Sequence, residues 1–459
     1  MEGASARERL SSRLGFILLS AGCAIGIGNV WRFPYVVGQS GGGWFIPLYL
    51  LALAALGVPV LVMEFAVGRA AQRSLARAHA VLTPRRPGWR VHGALGLAGT
   101  VLLMMFYTTV AGWMLIYFRK TAAGAFAGLS PEGIGAAFGA VLADPALQAK
   151  HTVGVCVGCA AICAFGVQKG LERVTKGMML ALLGLIAALA VHSVCLDGAG
   201  RGVSFYLLPD LARFMEAGPA NVAVDAITQA FFTLSLGIGS MAIFGSYIGK
   251  DRALLGEAVH VALLDTVVAF TAGLVIIPAC FAYGVEPGQG PGLVFVTLPN
   301  VFNHMAGGRV WGALFFLLMS FAALSTVLAV FEAIIASLVD YLKWPRRAVC
   351  AAVAVGISAL SLPCILGFNL LGWLHPLGGE STVLDLEDFL VSDLLLPVGA
   401  MLFARYCTSR YGWGWRNFRV EANAGEGPKV PRGLRIYCGY VIPLVIGGIL
   451  VLAVIRRFG

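Results

Sequence analysis

The stretch AGCAIGIGNVWRFP, Ala21 to Pro34, lies inside the first long apolar run of the chain and places glycine at 22, 26 and 28. Glycine weakens a helix interior because its backbone has the most freedom to lose and it offers no side chain to pack. A segment crossing lipid must satisfy its own N–H and C=O groups. An interrupted helix is therefore tolerated there only where the backbone lines a cavity or binds something. How this stretch is read decides between a plain spanning helix and half of a binding site.

Composition supplies the setting. Of the 459 residues 59% are hydrophobic and 12% charged, against roughly 25% charged in soluble domains. The sequence therefore predicts an integral membrane protein. Apolar runs cover residues 13–38, 43–66, 93–118, 152–168, 175–196, 222–248, 256–284, 309–340, 347–368, 386–405 and 436–455. A hydrocarbon core of about 30 Å takes about 20 helical residues, so these read as eleven spanning helices, with 152–168 marginal. Barrel strands would alternate over about 10 residues, and these runs are continuously apolar.

The formal net charge of +10 raises the question of nucleic acid, but the basic residues are placed for a membrane. With the N-terminus inside, 24 of the 33 Lys and Arg fall on the cytoplasmic side. The positive-inside rule then predicts a cytoplasmic N-terminus and an external C-terminus, in a multi-pass protein of the plasma membrane, the inner membrane of a bacterium. No nucleic-acid partner is needed; the lipid bilayer is the macroscopic partner. The opening MEGASARERLSSR runs straight into a long span with no small-residue cleavage site, so no removable signal peptide is expected. The ten cysteines lie in or beside spans, and Cys156, Cys159 and Cys163 have no His or carboxylate near them, so they read as packing residues without a disulfide framework or metal.

An internal echo follows five spans later. Ala24-Ile-Gly-Ile-Gly-Asn29 resembles Ser235-Leu-Gly-Ile-Gly-Ser240. An offset of five helices makes the two copies run in opposite directions, as inverted repeats with interrupted helices do. The expected organisation is a cytoplasmic segment 1–12, a first repeat 13–196, an external loop 197–221, an inverted repeat 222–405, a cytoplasmic loop 406–435, and a last helix with an external C-terminus, 436–459. Half-helix N-termini suit a carboxylate, and loose carbonyls suit a small cation.

Ionisable residues within spans are few: Arg32, Glu64, Asp225, Asp265, Glu332 and Asp388. Such residues are functional candidates by default. Glu64 suits capture of N–H groups freed by a broken helix, and Asp265 suits a cation. Ser325 and Thr326, taken alone, read as hydroxyls bonding back to the preceding turn. Carboxylate, amide, hydroxyl and carbonyl oxygens together favour a hard cation, sodium. ATP chemistry is not supported, since Gly245-Ser-Tyr-Ile-Gly-Lys-Asp lacks both the glycine spacing of a phosphate loop and its terminal Ser or Thr. Hydrolase and metalloprotease signatures are also missing, so no enzyme is expected.

RLGFILLSAGCAIGIGNVWRFPYVVGQSGGGWF, together with AFFTLSLGIGSM and SFAALSTVLA, resembles the neurotransmitter:sodium symporters, above all the eleven-helix bacterial amino-acid transporters. The likeness runs from about Arg7 to Leu402. It implies an all-α bundle of two inverted five-helix repeats with helices 1 and 6 broken. It implies a first sodium site at Ala24, Asn29, Thr233 and Asp265, and a second at Gly22, Ile25, Ala322, Ser325 and Thr326. Substrate would meet Ala24, Gly26, Gly28, Tyr107 and Thr326, with its side chain against Leu103, Phe232, Ser235, Ile238 and Val330. Arg32 and Asp388 would form an outer gate, with Tyr107 and Phe232 as its lid, and Arg7 and Asp340 an inner one; Glu64 would be structural.

Several positions depart from the family pattern. Leu10 replaces a tryptophan at the inner gate, and Leu180 a proline that helps helix 5 unwind. Asp265 and Ala269 stand where animal members carry an amide and a chloride-binding serine, so no chloride requirement is expected. Gly26 stands where amine transporters carry aspartate, and the predicted side-chain wall is apolar, which points to an amino acid with an apolar or aromatic side chain. The expected function is sodium-coupled import of such an amino acid by alternating access, with two sodium ions bound; the rival readings are a proton-coupled or other-solute transporter on the same fold, or a membrane sensor that binds without transporting.

Overall fold

In a computed structural model, residues 8–285 and 291–458 are described, and among them every regular element is helical. We number the spans α1 to α11. Eight are uninterrupted and long and apolar enough to cross a membrane: α2 (Phe45–Ala71), α3 (Pro87–Ala122), α4 (Pro145–Ala164), α5 (Val167–Val194), α7 (Leu254–Ala282), α8 (Gly308–Leu342), α9 (Arg346–Leu366) and α11 (Leu434–Ile455). The first span is a bent pair, α1a (Arg13–Ala24) and α1b (Ile27–Gln39), with 66° between the halves. The sixth is split into α6a (Pro219–Thr233) and α6b (Ser240–Gly245). The tenth runs through Val383–Asp388, a π-helical Phe389–Leu395 and Leu396–Thr408, together α10.

Several boundaries shift for local reasons. The marginal span at 152–168 belongs to a longer helix that starts at Pro145, where the Asp144 carboxylate accepts from the Leu147 amide and proline occupies the first turn. The segment expected as the external loop 197–221 contains helices Ala199–Leu207 and Leu211–Ala217 and the start of α6a. The expected cytoplasmic loop 406–435 begins inside α10 and contains helix Trp415–Ala422.

The core is built around the broken spans. The α3 and α8 helices pack along each other, and α1a lies against α7 and α8. The approach of α2 to α6b is close: a Cβ on Gly68 would lie 1.7 Å from the Ala242 carbonyl oxygen, and one on Gly245 would lie 2.4 Å from that of Phe65. Glycine at both points lets the two backbones touch. At the C-terminal end of α2 Arg69 is buried, with its Nε donating to Glu421 at 2.7 Å and its Nη1 to the Arg252 carbonyl at 2.8 Å, which ties α2 to helix Trp415–Ala422.

Candidate binding site at the helix breaks

The break in α1 falls where the glycines predicted it. α1a ends at Ala24, Ile25 turns extended, and Gly26 is extended ahead of α1b. The freed amides find side chains: Gly26 N–H donates to Asn29 Oδ1 at 3.1 Å and Ile27 N–H to Tyr107 Oη at 3.0 Å. In α6 the break spans Leu234 to Gly239, with Ser235, Gly237 and Gly239 at φ 50°, 105° and 80°. Glycine meets this requirement without strain; Ser235 is a non-glycine exception. Glu64 accepts from the Gly237 amide at 2.5 Å.

Two oxygen clusters flank the α1 break. In the first, Asn29 Nδ2 donates to Asp265 Oδ1 at 2.7 Å and to Thr233 Oγ1 at 3.3 Å, while Thr233 Oγ1 donates to Asp265 Oδ2 at 2.8 Å. All three residues are buried. In the second, Thr326 Oγ1 lies 3.2 Å from the Gly22 carbonyl, 3.3 Å from that of Ile25 and 3.3 Å from that of Ala322, and Ser325 Oγ donates to Ala322 at 3.0 Å. The α1 and α8 backbones thus turn carbonyl oxygens toward one hydroxyl, a donor set suited to a small hard cation. Back-bonding to the preceding turn, the simpler reading of these hydroxyls, accounts for only part of their contacts.

Between the clusters lies a cavity of about 180 Å³ bounded by both breaks, α3 and α10. Its walls include Ala24, Gly26, Gly28, Leu103, Tyr107, Phe232, Ser235 and Thr326, all expected from the sequence. Ile238 and Val330 do not line it. Ile238 packs on α3, where its Cγ2 fills the space beside Gly99, and Val330 is wholly buried in α8. Residues not anticipated include Phe106, Val110, Val391 and Asp393. Leu103, Phe106, Tyr107 and Val110 share one helical face, so spacing alone would have added the second and fourth. Val391 and Asp393 lie in the π-helical segment of α10, which periodicity does not reveal.

Arg32 and Asp388 both reach the cavity. The Arg32 guanidinium lies 4.4 Å from the Phe232 ring centroid, and Asp388 Oδ1 accepts from Ser392 Oγ at 2.6 Å. At the opposite end Asp340 accepts from the Ser74 amide at 2.7 Å; Arg7, its expected partner, lies outside the described residues. Leu10 N–H donates to the Tyr247 carbonyl at 3.2 Å, and Arg13 Nε to Glu257 at 2.9 Å, tying the start of α1a to the segment after α6b and to α7. The irregularity in α5 is not at Leu180, which is exposed on an unbroken helix, but at the π-helical Val167–Glu172. There Glu8 accepts from the Val167 amide at 3.0 Å and Glu172 from the Ser11 amide at 2.8 Å.

Paired helix breaks in a bundle of spans, with oxygen clusters and a cavity between them, define a membrane transporter whose binding site is made of backbone as much as of side chains. The chain belongs to the sodium:neurotransmitter symporter family, whose model matches residues 7–127 and 145–455. An uncharacterised sodium-dependent transporter of Bacillus subtilis is 36% identical over 86% of each chain. The sodium- and chloride-dependent GABA transporter 2 of Bos taurus is 26% identical over 93% of this chain and 77% of its own. The crystal structure of MhsT in complex with L-phenylalanine superposes with a TM-score of 0.87 at 37% identity, covering 97% of this chain and 100% of that one. The chain is thus a sodium-dependent multi-pass transporter, not an enzyme.

Proposed function

We propose that the chain is a sodium-coupled importer of an amino acid with an apolar or aromatic side chain. The observation that carries this reading is the convergence of both helix breaks on one cavity lined by Asn29, Thr233 and Thr326, with Asp265 hydrogen-bonded to the first two and Ser325 adjacent to the third. One sodium ion takes the Ala24 carbonyl, Asn29, Thr233 and Asp265. A second takes the carbonyls of Gly22, Ile25 and Ala322 with the hydroxyls of Ser325 and Thr326. The substrate carboxylate meets the first ion, the amides around Gly26 and Gly28, and the Tyr107 hydroxyl.

The α3 wall of Leu103, Phe106 and Val110 supports an apolar or aromatic side chain, since a charged one would lose its hydration there without a partner on that face. The neighbour crystallised with L-phenylalanine agrees with that choice. Each ligand raises the affinity of the other through their shared contacts on α1, which couples sodium entry to substrate entry. The expectations of a cytoplasmic N-terminus, an external C-terminus and a bacterial inner membrane belong to the same reading.

The test is a panel of amino acids offered to proteoliposomes with and without a sodium gradient. Apolar and aromatic members are expected to accumulate only with sodium, and Asp265→Ala to abolish sodium-dependent binding. Unchanged sodium affinity in that variant would overturn the assignment of the first site, and equal uptake without sodium would overturn the coupling.

A further inference from the structure

The first two turns of α10 carry three carboxyl groups in different surroundings. Asp385 accepts from the Thr382 amide at 2.7 Å and hydroxyl at 2.8 Å, closing the start of the helix. Asp388 lines the cavity and accepts from Ser392. Glu387 is 3% exposed, and neither of its oxygens has a hydrogen-bond partner among the described residues. It lies beside the Cys364 thiol of α9, which also neighbours Thr109 of α3, whose hydroxyl likewise lacks a partner.

An ionised carboxylate in that place would have only a thiol, a weak donor, to replace its water. The cost of burying a charge without donors is far larger than that of burying the neutral acid. Among the described residues no ion pair reaches Glu387. Cys364 faces Glu387 from α9, and α3 has no titratable side chain between Tyr107 and Tyr117. The remaining ionisable neighbours along α10 are the acids Asp385, Asp388 and Asp393.

We propose that Glu387 is a proton-binding site. It holds a proton as a neutral carboxylic acid while the start of α10 packs on α3 and α9, and releases it to water when that packing opens. The neighbouring face of the same short helix presents Leu384 and Asp388 to the cavity, so the proton is linked to the position of the cavity wall. That link, though not the proton itself, rests on the reading of the cavity as the substrate site. The sign follows: acid favours the packed helix, and alkaline conditions favour the open one.

Infrared difference spectra of the purified chain at neutral pH test the proton directly. A carboxylic-acid carbonyl band sensitive to heavy water is expected in the native chain and absent in Glu387→Gln and in Glu387→Met. The band persisting in both variants would overturn the proposal. Sodium-dependent binding of phenylalanine tests the linkage. It is expected to weaken with rising pH by up to about tenfold per unit, the limit for one linked proton, and to stay flat in Glu387→Gln. Equal pH profiles in the two chains would overturn the linkage. If no chain binds phenylalanine while the band still disappears in the variants, the substrate reading fails and the proton site stands.

Discussion

At the scale of single residues, the glycines of the opening stretch have different duties. A Cβ on Gly26 would lie 2.5 Å from Tyr107 Oη and 3.1 Å from Thr326 Oγ1, and one on Gly28 would lie 2.3 Å from the Phe232 ring. Gly26→Ala is therefore expected to push Tyr107 off the Ile27 amide and out of the cavity while leaving the helices packed. Substrate affinity should fall by tenfold or more, roughly the 1–3 kcal/mol of a lost hydrogen bond to a buried group, with the thermal midpoint in detergent nearly unchanged. Native affinity in the variant would count against a role for Tyr107 in binding. Asn29, Asp265 and the α8 hydroxyls were legible as chemistry in the sequence, because polar groups in apolar runs need a reason. That they gather into two clusters was not, since Asn29 and Asp265 are 236 positions apart.

At the scale of elements, the breaks persist because neighbouring helices supply what the broken backbone lacks. Glu64 of α2 holds the Gly237 amide, and Gly68 lets α2 lie directly against α6b. Gly68→Ala would force a methyl onto a backbone oxygen with no side chain to yield, so a loss of about 1–3 kcal/mol or more is expected, seen as a lower thermal midpoint and poor yield. Gly177→Ala is the control: an exposed glycine in α5 with nothing within 4 Å of the added carbon, it should be neutral or slightly stabilising. A similar midpoint for both variants would remove close packing as the reason for Gly68. In the sequence, Leu180 stands where the family carries the proline that helps helix 5 unwind, so the hinge of α5 has to lie elsewhere. The π-helical turn at Val167–Glu172 lies elsewhere because Gly166, at φ 92°, and the Glu8 carboxylate already define it.

At the scale of the whole molecule, charge balance across the first cation cluster is set by one buried carboxylate. Asp265 is within reach of Asn29 and Thr233, and Ala269 offers no hydroxyl for an anion. Uptake driven by a sodium gradient is therefore expected to be unchanged when chloride is replaced by gluconate at constant sodium; collapse of uptake would show that an anion is required after all. The same scale explains why Ile238 and Val330 left the predicted wall. Ile238 packs beside Gly99 of α3 and Val330 is wholly buried, and which face of a buried helix meets a cavity rather than a partner depends on how those partners pack.

The sequence by itself determined that the chain spans a membrane many times, that two of its helices are interrupted in mirrored positions, and which polar side chains those interruptions must serve. These follow from local rules: apolar length, glycine at the midplane, and the cost of a polar group in lipid. Only the tertiary structure decided which residues share the cavity, that the α10 π-turn brings Asp393 to it, and that Glu387 is left with a thiol alone beside it. Those outcomes depend on contacts between segments hundreds of residues apart and on a helical register that no local pattern of hydrophobicity records.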